Sequence, residues 1–186
     1  MRSSARLVAG SLFTLCLGAM LLAAPAQATL IELSAVLLGV NETPPNASPA
    51  TGFADVVLDD VLGTLKVHET FSGLIGGPAA AAHIHCCASA GIAAPVRLPF
   101  SAADGFPFGA TSGTFDHTYV LATALTGISV ADFIAGFEAG NTYANILNAT
   151  FPGGEIRGQL VPEPASILLL GVSLAGLTLV RRRRAR

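Results

Sequence analysis

The chain has 186 residues, no tryptophan, three cysteines, 52% hydrophobic residues and a formal net charge of −2. That charge is unevenly placed, because seven of the ten basic residues, Arg2, Arg6, Arg181 to Arg184 and Arg186, lie at the two ends. Between residues 29 and 161 three cations, Lys66, Arg97 and Arg157, face eleven acids, and the resulting charge of about −8 argues against a nucleic-acid partner.

Arg2 and Arg6 precede an apolar run from Leu7 to Ala24 that ends in Ala26-Gln27-Ala28. A basic start, a short apolar stretch and small residues at a cut site predict a secretory signal over 1–28, removed before Thr29, with Ala26 and Ala28 marking the cleavage site. Cys16 leaves with it, so the exported chain keeps the adjacent pair Cys86-Cys87 and cannot form a long-range disulfide staple. Residues 29–161 suit one domain whose stability comes from apolar packing.

Within that domain, short β-branched runs separated by Gly, Pro, Asn and Asp predict strands near Leu30 to Leu38, Gly52 to Leu58, Leu62 to Phe71, Ala80 to His85, Thr114 to Ala124, Thr142 to Asn148 and Glu155 to Val161. The stretch Asp59-Asp60-Val61-Leu62-Gly63 reads as a hairpin connection. From Ala94 to Gly113 the Pro- and Gly-rich chain predicts a long loop with at most a short strand near Val96. One helix is expected from about Val130 to Ala139, capped by Ser129 with Asp132 three residues on and ended by Gly140. The fold class is therefore mainly β, a sandwich or barrel with one short helix.

His83-Ile84-His85-Cys86-Cys87 is where chemistry can reside, since His83 and His85 share one face of a strand and offer two imidazoles to one ion. Thiolates at Cys86 and Cys87 would favour copper or zinc; alternatively the histidines hydrogen-bond at the sheet and the cysteines form a vicinal disulfide. His68 or His117 would complete a metal set only if the fold brought them near. The acids Asp55, Asp59, Asp60, Asp104 and Asp116 form no twelve-residue calcium loop. No nucleophile elbow, phosphate loop or His-Glu-x-x-His motif is present. Around Asn41, Glu42, Pro44 and Pro45 the prolines end the first strand in a corner. Gly153-Gly154 permits a tight turn before Glu155, and Arg157 is expected to fork onto a carboxylate such as that of Glu42.

Gly39-Val40-Asn41-Glu42-Thr43-Pro44-Pro45, Ala82-His83-Ile84-His85 and Phe151-Pro152-Gly153-Gly154-Glu155-Ile156-Arg157-Gly158-Gln159-Leu160, joined by Ala139-Gly140-Asn141-Thr142-Tyr143-Ala144-Asn145, together resemble the CHRD domain, named after chordin. The resemblance implies an immunoglobulin-like Greek-key barrel with a distant similarity to copper/zinc superoxide dismutase; with no catalytic motif in the sequence, a non-enzymatic binding or structural module is expected, and a metal-binding, dismutase-like protein using His83 and His85 is the alternative. One departure is Leu147, where CHRD relatives often have a histidine.

The far end reads Val161-Pro162-Glu163-Pro164, an apolar stretch from Ile167 to Val180, then Arg181, Arg182, Arg183, Arg184 and Arg186. The 14 residues from Ile167 to Val180 rise about 21 Å as a helix. Against a hydrocarbon core of roughly 30 Å, a transmembrane helix over about 165–180 is a marginal anchor. The arginines hold it with residues before Pro164 outside the cytoplasm. The order of these three parts resembles the PEP-CTERM sorting signal of Gram-negative bacteria. That resemblance implies processing over 162–186 by an exosortase-type protease, a transient stay in the inner membrane, and delivery to the cell surface or matrix, where exopolysaccharide or surface proteins are the expected partners.

Overall fold

The computed structural model describes residues 29–162. The expected leader, with Ala26 and Ala28, and the tail from Glu163 and Pro164 to the arginine run lie outside the described residues. Among the described residues no helix is long and apolar enough to cross a membrane.

Eight antiparallel strands form one curved sheet, a half-barrel: β1 (Leu30–Leu38), β2 (Thr51–Asp59), β3 (Thr64–Ser72), β4 (Ala81–Cys86), β5 (Val96–Pro99), β6 (Gly113–Val120), β7 (Thr142–Leu147) and β8 (Ile156–Gln159). Their spatial order is β5-β4-β7-β8-β1-β2-β3-β6. The concave face is apolar because every second residue turns inward, so Leu33, Leu37, Val56, Leu58, Leu65, Val67, Ile84, Ile146 and Ile156 are buried together. The edges β5 and β6 are joined by aromatic packing. Phe100 and Phe106 lie 4.9 Å and 5.2 Å from Phe115, and Phe100 lies 5.8 Å from Tyr119. Two of these rings come from the stretch read as an irregular loop, which therefore supplies part of the core.

The predicted helix is α2 (Val130–Glu138). Ser129 Oγ accepts the Asp132 N–H at 3.1 Å and donates to the Asp132 carboxylate at 2.7 Å, and Gly140 follows with φ 67°. Phe133 and Phe137 are fully buried, and Gly136 faces the Cys86–Cys87 disulfide, where a Cβ would strike both sulfurs. The strand expected to reach Ala124 stops at Val120, and Leu121–Ala124 instead form a single helical turn, α1. Val120 pairs with Thr64, the first residue of β3, so no partner backbone continues beyond it. The Leu125 N–H closes the turn on the Leu121 carbonyl at 3.1 Å. At the other end of the chain Val161 bridges to Ser34 through two hydrogen bonds of 2.9 and 3.0 Å.

Glu69 breaks the apolar pattern of β3. It is fully buried, neither carboxylate oxygen has a partner, and burial pushes its pKa up to about 8. Folded Glu69 keeps its proton while the unfolded chain loses it near 4.5, so this group's contribution is fully present below about 4.5 and is lost as pH rises toward 8. The loss approaches about 1.4 kcal/mol per pH unit. Glu69→Gln keeps the shape without the proton exchange. Urea unfolding at several pH values should show wild-type stability falling between pH 7 and 8 and a clearly shallower fall, that of Glu42, for the variant; equal slopes would refute the assignment.

Candidate functional site

The two-residue period of β4, β7 and β8 sorts the motif residues onto two faces. Ala82, Ile84, Cys86, Ala144, Ile146, Ile156 and Leu160 go into the core. Register aligns the others in two rows across the convex face. His83 lies opposite Asn145 and Asn145 opposite Arg157; His85 lies opposite Tyr143 and Tyr143 opposite Gln159.

These side chains form a stacked layer. The Arg157 guanidinium carbon sits 3.4 Å above the Tyr143 ring, which stacks on His85 with centroids 4.4 Å apart and planes at 10°. The loop between β4 and β5 is clamped over them. Arg157 donates to Thr43 Oγ1 at 3.1 Å and to the Ile92 carbonyl at 2.8 Å. The Ala94 N–H donates to the Tyr143 hydroxyl at 3.1 Å, and His85 Nδ1 donates to the Ala94 carbonyl at 2.7 Å. Gln159 donates to the Gly140 carbonyl at 2.7 Å. Arg157 is thus a buried cation without a carboxylate partner: the ion pairs among the described residues are His68 with Asp116 and His117 with Asp104. The expected fork onto a carboxylate is not formed; neutral oxygens and the ring face of Tyr143 replace it, the ring contact being worth about 2 kcal/mol when desolvated.

His83 and His85 have ring centroids 5.5 Å apart. Burial, and then the neighbouring His85, push His83 down to about 4, so it is neutral at physiological pH; His85 is also lowered, chiefly by burial. His83 Nδ1 is buried without a partner, whereas His85 Nε2 lies 3.0 Å from the Asn145 side-chain amide. Cys86 and Cys87 are joined, and Cys86 points into the core, away from the histidine face. His68 and His117, on β3 and β6, each face an acid instead, Asp116 and Asp104. Among the described residues no three His, Cys, Asp or Glu groups are placed to hold a metal ion.

Beside Arg157 the face opens into a groove of about 520 Å³. Its walls are Val36, Val40 and Val161; Glu42, Thr43, Arg157 and Gln159 line its polar side. One carboxylate oxygen of Glu42 and the side-chain oxygen of Gln159 are buried without partners. Burial raises Glu42 to about 7, an effect the Arg157 charge offsets only in part. Glu42 packs directly on Gly154, where any side chain would collide with its carboxylate. Asn41 is exposed and reaches the Val36 carbonyl at 3.4 Å, while Pro44 and Pro45 border a smaller depression shared with Gly153. Gly158 lies against Ala35 and the Val36 carbonyl, too close for a Cβ.

Glu155, read from sequence as part of a turn motif, is a structural hub. Fully buried, it accepts from Ser48 Oγ at 2.6 Å, Ile75 N–H at 2.7 Å, Gly76 N–H at 3.2 Å and the Asn148 amide. Sequence reading also passed over Tyr143, Asn145 and Gln159 as site residues. The signal was available, because alternation places Tyr143 and Asn145 on one strand face as it does His83 and His85.

A family model for the CHRD domain matches residues 33–160, and one for the PEP-CTERM protein-sorting motif matches residues 160–184. No curated protein and no solved structure matches the chain. The two matched segments share Leu160, next to the Val161 bridge at which the sheet ends.

Removing the Glu155 carboxylate strands four buried donors. Glu155→Ala should lower the unfolding free energy by about 3 kcal/mol or more, because hydrogen bonds to a charged group contribute about 1.5–3 kcal/mol each and are not additive. Equilibrium urea denaturation checks it; a loss below about 1 kcal/mol would show the network to be dispensable.

Proposed function

We propose that this chain, which belongs to the CHRD domain family, is an exported binding module that holds a polymer or protein of the cell surface in the groove beside Arg157. The PEP-CTERM motif implies processing by exosortase and export to the surface of a Gram-negative bacterium. One observation carries the binding role. The groove sets an apolar wall of Val36, Val40 and Val161 against a polar side of Glu42, Thr43, Arg157 and Gln159, so one cleft offers both kinds of contact. Exopolysaccharide hydroxyls and peptide N–H groups both supply donors beside apolar surface. No reaction is assigned to the module. The immunoglobulin-like, superoxide-dismutase-like Greek key expected of the family draws support from non-sequential neighbours in the sheet, β3 beside β6 and β4 beside β7.

Cells producing wild type and Val36→Asp separate the two parts of this reading, since Val36 is exposed and its replacement spares the core. Both proteins should leave the cytoplasm and lose the residues after the Pro-Glu-Pro segment. Wild type should stay with the surface fraction while the variant is shed into the medium. An intact tail retained in the inner membrane would overturn the sorting reading, and equal retention of both processed proteins would overturn the groove.

A second reading, copper or zinc held by His83 and His85, draws support from the unpartnered His83 Nδ1. The available set is short of what these ions require, because His85 Nδ1 is taken up by the Ala94 carbonyl and the cysteines are bonded to each other. Metal analysis of purified residues 29–162 decides it. Stoichiometric copper or zinc that disappears in His83→Ala/His85→Ala would establish the site, and a folded, metal-free domain would eliminate it.

A further inference from the structure

The strand register fixes where the sorting tail departs. Arg157 lies opposite Leu38 and Val161 opposite Ser34, so the last strand runs toward Leu30 as far as the described chain goes. At that end of the sheet lies the β2–β3 hairpin. Leu30 pairs with Asp59, Val61 and Leu62 occupy the turn, Thr64 pairs with Val120, and the Leu121 N–H donates to the Gly63 carbonyl at 2.9 Å. The end is apolar and open: Leu30, Val61, Leu62 and Val120 are 61%, 53%, 71% and 53% exposed. Four residues, Glu163 to Ser166, separate Pro162 from the apolar run that begins at Ile167. Five backbone steps span at most about 17 Å, so a tail held in a bilayer keeps this end of the domain against it.

We propose that Leu30, Val61, Leu62 and Val120 form a membrane-resting end, which sits in the headgroup region of the bilayer until the tail is removed. This rests on the tail reading given above. The contact is apolar, since Glu32, Asp59 and Asp60 lie at the same end and an anionic lipid surface would repel them. Lys66, level with Glu32, is one cation against three acids, so the four apolar side chains give weak binding by themselves and the domain is released once the covalent tether is cut. In this posture the segment from Pro162 to Ser166 is held at the membrane surface, within reach of a protease embedded there.

The absence of tryptophan makes a direct test available. Leu62→Trp places one indole at the hairpin end, and Thr150→Trp places one in the exposed β7–β8 connection at the opposite end. Each full-length variant is purified from a host that removes the leader and lacks the processing protease, then reconstituted into phosphatidylcholine vesicles containing brominated lipid. Both should float with the vesicles. Quenching of about twofold or more at Leu62→Trp, with none at Thr150→Trp, is the expected result for a side chain seated at the headgroup boundary. Floating protein with neither indole quenched would overturn the proposal and leave the tail reading intact. Protein that does not float would overturn both. An indole at Leu62→Trp that shifts blue with rising protein concentration but is not quenched would show that a second copy covers this end, and would also overturn it.

Discussion

The fold depends on one buried carboxylate. Glu155 sits at the end of the sheet where three connections converge: the segment leading into β2 through Ser48, the one leaving β3 through Ile75 and Gly76, and the β7–β8 turn through Asn148. None of these segments has a strand ladder to fix it there, and a carboxylate taken out of water without donors would be prohibitively costly. Four donors solve both problems at once. The charge is solvated by the protein, and the three loops acquire one common attachment point. Asn46 adds to it by donating to the Gly154 and Glu155 carbonyls at 3.3 and 3.0 Å. Because Gly154 and Glu155 are thereby immobilised, the Glu42 carboxylate packed on Gly154 and the start of β8 are placed as well.

Two residues after Glu155, Arg157 performs the corresponding task on the convex face. Its guanidinium holds Thr43 and Ile92, and through Tyr143 it presses on His85, which in turn holds Ala94. A loop that would otherwise run free from Cys87 to Pro95 is fastened at several points, Ala94 and Ile92 among them, to the outer layer of three neighbouring strands. The same fastening builds the groove, whose far wall is the outer face of β1 and whose near wall includes Ala90 and Gly91. Glu155, just before β8, and Arg157 within it thus divide the work: Glu155 gathers the loops at the end of the sheet, Arg157 those over its convex face.

Much of this was legible in the residues themselves. Alternation in Leu33 to Leu37 and Val56 to Leu58 marks strands with one buried face, and Ser129 with Asp132 marks a helix start, so these elements follow from local chemistry. What could not be read locally was partnership. Leu121 to Ala124 has enough strand character to extend β6, but a strand needs a neighbour and β3 begins only at Thr64. Arg157 in an acidic domain invites a carboxylate partner, yet the chain folds a loop of carbonyls and a tyrosine ring over it instead. The distinction between Cys86 and the histidines is also a matter of faces: adjacent in sequence, they point to opposite sides of the sheet, so the run His83 to Cys87 never converges as one cluster. Glu69 is the clearest limit, since nothing in Val67-His68-Glu69-Thr70-Phe71 announces a carboxyl in the core beyond its place in the alternation.

The ionisable groups beside the groove settle its chemical character. Near pH 6, Glu42 holds its proton because its pKa is raised to about 7, and His83 has none because its own is lowered to about 4. Burial, the leading cause in each case, suppresses charge of either sign. The effects on folding oppose each other. The His83 contribution is present above 6.5 and lost as pH falls toward 4, whereas that of Glu42 is present below 4.5 and lost as pH rises toward 7. Between 4.5 and 6.5 the slopes partly cancel, and the face keeps one fixed charge, that of Arg157, spread over the Tyr143 ring. Near pH 6 the groove therefore presents neutral hydrogen-bonding groups, valine side chains and a single shielded cation. The binding proposed for this groove would rest on shape and hydrogen bonds, in a domain whose net negative charge repels anionic polymers at long range but contributes little at the groove itself.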